Sequence, residues 1–146
     1  MKHFNILFIF SMILSFSTLQ AQPIEFLNAE NAPGHLPFSQ AVRVGGTLYL
    51  SGQIGIDPKT SKLVSGGMKN EAVQTMENIK NTLELHNYSM KDVIKCTVML
   101  ADISQWEAFN SVYVSYFSKP YPARSAFAAS GLALGSLIEV ECIAAQ

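Results

Sequence analysis

The sequence predicts an α+β domain: one β-sheet with two helices packed on one of its faces. Three observations predict it. Gly45-Gly46 interrupts two short apolar segments in the manner of a hairpin, apolar residues recur at helical spacing between 68 and 86, and strand-like runs occupy 92–101 and 137–145. Two helices cover only one side of such a sheet, so the other side meets either water or another chain. Alternate positions such as Val42, Val44, Leu48, Leu50, Val98 and Leu100 carry too much apolar surface for free exposure. A homo-oligomer closing the uncovered face follows.

Met1 to Ala21 is set apart from this domain. It has a short basic start (Lys2, His3), an apolar segment from Phe4 to Phe16 and a small residue at Ala21, the layout of a secretory signal peptide. Asn5, Ser11 and Ser15 interrupt the segment, which is shorter than the ~20 apolar residues of a membrane span. Leu19 departs from the small residue usual at that place, and an uncleaved anchor is the alternative. The expectation is an exported, periplasmic protein, free of the membrane after cleavage, with one domain over 22–146. A domain of that size buries roughly two thirds of its unfolded surface and folds without staples or metal.

Within the domain, residues 22–40 read as loop, with two prolines and a glycine between Asn31 and Gln40. Ala41–Val44 and Thr47–Ser51 form the hairpin, both glycines of its turn accepting positive φ. Asp57-Pro58-Lys59-Thr60 is a turn and Ser65-Gly66-Gly67 a second break. Ala72, Met76, Ile79 and Leu83 define an amphipathic helix from Met68 to about His86, with Asn87 as a left-handed stop. Asp92–Ala101 is a buried strand holding one charge, Lys95. Asp102 caps a second helix with Gln105 completing a capping box, and Trp106, Phe109, Tyr113 and Tyr116 or Phe117 form its packed face. Asn110 lies one turn from both Trp106 and Tyr113, bordering that face. Strands follow at Arg124–Ala129 and Leu137–Ala145, separated by a turn at Gly131–Gly135.

The formal net charge is −1, with no basic block, so nucleic acid is a poor partner. His3, His35 and His86 are scattered and no metal-spaced cysteine set exists, so no metal site is expected. Cys96 and Cys142 both lie in strand runs. They read as two buried thiols, a bridge remaining open if their strands are neighbours.

The chemistry concentrates in 120–146, where Arg124 is the only basic residue and Glu139 and Glu141 the only acids. A guanidinium among small and apolar neighbours requires a partner charge, several hydrogen bonds or an anionic ligand. Its planar fork suits a carboxylate. Strand alternation puts Glu139, Glu141 and Ile143 on one face. Spacing leaves Glu139 either an ion-pair partner of Arg124 or of a neighbouring chain's Lys95, or a group that directs water; Glu141 reads as structural.

Taken together, Asn31-Ala-Pro-Gly, Pro37-Phe38-Ser-Gln40, Leu50-Ser51-Gly52-Gln53-Ile54, Asp57-Pro58-Lys59-Thr60, Phe109-Asn110-Ser-Val-Tyr113, Tyr121-Pro122-Ala123-Arg124-Ser125 and Ile138-Glu139-Val-Glu141-Cys-Ile143-Ala144 resemble the RidA (YjgF) family of reactive intermediate deaminases. The resemblance implies a chorismate-mutase-like α+β fold with a six-stranded mixed sheet, and a homotrimer with its sites at subunit interfaces. It implies hydrolysis of 2-imino and 2-enamino acids, such as 2-aminoacrylate or 2-iminobutanoate, to 2-keto acids and ammonia without a cofactor. Arg124 stands where the family binds the substrate carboxylate and Glu139 where it orients water; Ser51, Gly52 and Asn110 match pocket positions. Phe38 stands where many members have a tyrosine, and Ala126 where many have a cysteine, which excludes a thiolate mechanism. A binder of small carboxylates without turnover, and a ribonuclease or translation inhibitor, are the rival readings.

Overall fold

The computed structural model describes residues 21–29 and 36–146; the proposed signal peptide, apart from Ala21, and the Asn31–Gly34 motif lie outside them. The chain runs β1 (Ile24–Leu27), β2 (Ala41–Val44), β3 (Thr47–Leu50), β4 (Gln53–Ile54), β5 (Ile56–Asp57), β6 (Lys62–Leu63), α1 (Met68–Leu85), β7 (Val93–Leu100), α2 (Trp106–Tyr113), β8 (Ala123–Ala128) and β9 (Ile138–Ala145). The main sheet has the order β1-β2-β3-β9-β7-β8, with β4 also pairing to β9, while β5 and β6 form a separate small hairpin. Among the described strands only the β7–β8 pair is parallel, as befits two strands joined by a crossover through α2. The predicted mixed sheet with two helices is therefore what forms.

Alternation along the strands decides which side is core. Leu48, Leu50, Cys96, Val98, Leu100, Ile138, Val140, Cys142 and Ala144 are buried under α1 and α2, which contribute Ala72, Met76, Ile79, Leu83, Phe109 and Tyr113. The residues between them look the other way. Phe26 (72% exposed), Val42, Tyr49 (47%) and Ile143 pair across four strands of the open face. The sequence list of surplus apolar positions thus divides in two: Leu48, Leu50, Val98 and Leu100 belong to the covered core, and only Val42 and Val44 are on the open side.

Helix α1 ends as its sequence predicts. Asn87 adopts φ 65°, the Tyr88 N–H donates to the Leu83 carbonyl (2.8 Å) and the Asn87 N–H to the Glu84 carbonyl (3.1 Å). That pair of bonds is the Schellman arrangement, which satisfies carbonyls the last helical turn would leave open.

Other expectations are corrected. Residues 22–40 are not all loop, since Ile24–Leu27 adds an edge strand to β2. In the β2–β3 turn only Gly45 takes positive φ (57°); Gly46 is needed because a Cβ there would collide with the Gln146 carbonyl. Asp102 accepts from the Ser104 N–H (2.9 Å) and caps a short 3₁₀ turn at Ile103–Gln105, and α2 begins after it with no side-chain cap from Gln105. A genuine capping box occurs instead at Ser89 and Asp92, just before β7. Finally, Cys96 and Cys142 are not free thiols. They face one another across β7 and β9 with Cα atoms 4.1 Å apart and are joined by a disulfide.

Candidate functional site

Strand β8 is a sheet edge beside α2, and this neighbourhood gives Arg124 its surroundings. Arg124 pairs with Cys96 and so projects to the helix side. Its Nη1 donates to Asn110 Oδ1 (2.8 Å), and its guanidinium lies 4.7 Å from the centre of the Trp106 ring and 4.6 Å from that of Tyr113. Trp106, Asn110 and Tyr113 are spaced four and three apart, so one stripe of α2 supplies all three contacts. Aromatic faces attract a cation but do not neutralise it. Among the described residues the ion pairs are Arg43–Glu25 and Lys80–Glu77, and neither involves Arg124 or Glu139. Burial pushes the Tyr113 phenol's pKa up, partly opposed by the Arg124 charge, so the ring is a neutral wall whose hydroxyl is itself buried without a partner.

Glu139 belongs to a second cluster. On β9 it pairs with Met99 of β7 and Ile54 of β4. Its carboxylate rests on Gly52, where any Cβ would overlap it; only glycine lets the acid lie there. Next in sequence, Ser51 donates through Oγ to the Ser39 carbonyl (2.7 Å) and through its N–H to the Gln40 carbonyl (3.0 Å). These bonds fix the segment that carries Phe38, 55% exposed, which lines an open hollow of about 510 Å³ together with Phe26, Asn28, Val42 and Ser51. Glu141 is exposed on the same face.

Arg124 and Glu139 therefore do not meet within one chain. The register places them on opposite faces of the sheet with β7 between their strands. Two strand spacings separate them laterally and three residues along the strand, about 10 Å in each direction. No ion pair joins Glu139 to Arg124 among the described residues of the chain. Asn110 goes with Arg124; Ser51, Gly52 and Phe38 go with Glu139. Ala126, two residues beyond Arg124, shares the helix side with it.

Sequence reasoning missed Trp106 and Tyr113 as walls for the guanidinium. Both were legible as a packed helical face, and the signal available was Asn110 set between them. No group of His, Cys, Asp and Glu able to hold a metal occurs among the described residues.

Comparison with known proteins agrees with the motifs. The family described as endoribonuclease L-PSP matches residues 29–146. A human protein named 2-iminobutanoate/2-iminopropanoate deaminase is 43% identical over 121 residues, covering 82% of this chain and 88% of its own. The crystal structure of RidA from an Antarctic Psychrobacter superposes with a TM-score of 0.74 at 39% identity, over 87% of this chain and 99% of that one. Escherichia coli TdcF, solved with bound serine, superposes with a TM-score of 0.76 at 29% identity, over 84% and 98%.

Proposed function

The chain belongs to the RidA (YjgF) family, and from that premise we propose that it hydrolyses 2-imino and 2-enamino acids to 2-keto acids and ammonia, at sites shared between the protomers of a homotrimer. The observation that carries this reading is the state of Arg124. A half-buried guanidinium is held by an amide oxygen and two aromatic rings, with no carboxylate of the described chain within ion-pair distance. Such a group is oriented for an anion that arrives from outside.

The acid that does the chemistry comes from another protomer. Because β7 separates Arg124 from Glu139 and they face opposite ways, one small molecule touches both only when each chain supplies one of them. The apolar open face is the surface on which such chains would meet. Arg124, steadied by Asn110, takes the substrate carboxylate. Across the interface Ser51 and Gly52 shape the floor and the Phe38 ring packs over the substrate without the hydrogen bond a tyrosine would give.

Glu139 then orients a water and takes its proton as the oxygen bonds to the imine carbon. The electron pair of the C=N bond passes to nitrogen, which takes up the proton that Glu139 removed from the water. Collapse of the tetrahedral adduct breaks the C–N bond as the hydroxyl proton is transferred to the departing nitrogen, expelling ammonia and leaving the 2-keto acid; an enamine first tautomerises to its imine. A positioned base of this kind contributes about 10²–10⁴ in rate. The relative named as a deaminase and the one holding a small amino acid support the substrate class.

The signal peptide expected from the sequence and the Cys96–Cys142 disulfide both support a reaction outside the cytoplasm, in an oxidising location. Phe38 favours one alternative, a site that binds small carboxylates without turnover. The two are separated by following pyruvate release when a dehydratase generates 2-aminoacrylate from serine. Wild-type protein speeds the release, Arg124→Ala abolishes the gain, and Glu139→Gln lowers it about a hundredfold or more, leaving a residual rate above the spontaneous one. Mixed trimers of the two variants regain part of it, since some interfaces then carry both native groups. Tight keto-acid binding with no acceleration by wild type would establish the alternative, and no recovery in the mixture would overturn the shared site.

A further inference from the structure

Glu71 is only 6% exposed, and the reaction proposed above gives it no part. It lies in the first turn of α1, whose N-cap, Gly67, supplies no side-chain cap. A carboxylate there is favoured by the helix dipole. Yet it is used across the molecule: Oε2 accepts the Leu137 N–H at 2.8 Å, and the Leu137 carbonyl accepts the Ala101 N–H at 3.0 Å. The chain is thus pinned on both sides two residues before Glu139, where β9 begins.

The same residue also bears on the other strand beside Glu139. A Cβ at Gly55 would lie 2.9 Å from Glu71 Cα and 3.0 Å from its carbonyl oxygen, so the backbone after β4 rests directly on this turn of the helix. Further along α1, Asn78 donates to the carbonyls of Ile54 (3.0 Å) and Ile56 (2.8 Å). Ile54 is the partner of Glu139 across β4 and β9. One helix therefore grips both segments that determine where the Glu139 carboxylate rests relative to Gly52.

We infer that Glu71 is a positioning residue for Glu139, its buried carboxylate fixing the start of β9 against β4 so that the acid meets the reacting carbon in register. This rests on the water-directing role proposed for Glu139. A displacement of about 1 Å at a reacting group lowers rates by up to about a hundredfold. Glu71→Ala, which removes the acceptor, is expected to lower kcat about tenfold or more with KM little changed. Glu71→Gln keeps an oxygen for the Leu137 N–H and is expected to recover most of the rate.

The deciding measurement repeats Glu71→Ala in a Glu139→Gln background. A residue that acts through Glu139 costs nothing further there, whereas a residue that merely supports the fold costs the same factor in both backgrounds, and that result would overturn the inference. If Glu139→Gln alone turns over as fast as wild type, the reading beneath the inference falls and the role with it. Amide exchange over 137–141 supplies a readout without substrate: faster exchange in Glu71→Ala and wild-type protection in Glu71→Gln are expected, and unchanged exchange in the alanine variant overturns the positioning role even where no turnover is seen.

Discussion

At Gly52 the absence of a side chain makes room for the Glu139 carboxylate, which occupies the space a Cβ would fill. Gly52→Ala should displace that acid and cut kcat by on the order of tenfold or more, with little change in melting temperature; a wild-type rate in steady-state assay would remove Gly52 from the site. His86 makes a different prediction. It is buried with Nε2 unpartnered, and its pKa is lowered first by desolvation and then by the Arg43 charge, whose Nη2 donates to the His86 carbonyl at 3.2 Å. The folded value lies below that of the unfolded chain, so the neutral form is the one the fold accepts. Its contribution is complete above about pH 6.5 and is lost as pH falls through the folded value. Denaturation midpoints measured from pH 7.5 to 5 should decline for wild type and flatten in His86→Gln. Arg124 was legible in the sequence because a lone cation in an apolar run is anomalous. Trp106 and Tyr113 were not, since a helical stripe of aromatics looks the same whether it fills a core or lines a site.

Among the elements, those with sustained patterns were legible and those defined by pairing were not. Eighteen residues of helical periodicity gave α1 nearly to its ends, and alternation in 137–145 gave both faces of β9. Strand β1 has four residues and three exposed side chains, so no burial pattern marks it, and only its partner β2 makes it a strand. Whether the cysteines meet depended likewise on register, since β7 and β9 are 46 residues apart at that pair. In the folded chain the disulfide joins two central strands beneath the helices, each cysteine at most 1% exposed. Closing a loop of that length in the unfolded state contributes about 2–4 kcal/mol. The paired variant Cys96→Ala with Cys142→Ala should lose a comparable amount in chemical denaturation, and wild-type protein should yield thiols to a reductant only once unfolded. Equal midpoints for the two proteins would show that the bridge adds no stability.

For the whole molecule the decisive fact is that the sheet has one covered and one uncovered side. Ile24, Phe26, Tyr49 and Phe127 are 47% to 72% exposed on or beside the open face, joined by Val42, Val44 and Ile143. An apolar surface of this breadth is costly to hydrate, and burying it between copies recovers about 25 cal/mol for each Å² removed from water. The same association would bring the Glu139 half of one site against the Arg124 half of another, so assembly and activity should fail together. Tyr49 tests this at the middle of the face, opposite Val42 and Ile143. Tyr49→Lys sets an unpaired charge where apolar side chains would meet, yet touches no residue beneath the helices. Light scattering should report a shift from trimer to monomer, circular dichroism a retained fold, and the imine assay a loss of activity matching the fraction dissociated. A monomeric variant that still hydrolyses imino acids at the wild-type rate would mean that one chain holds a complete site, against the separation that β7 imposes between its arginine and its acid.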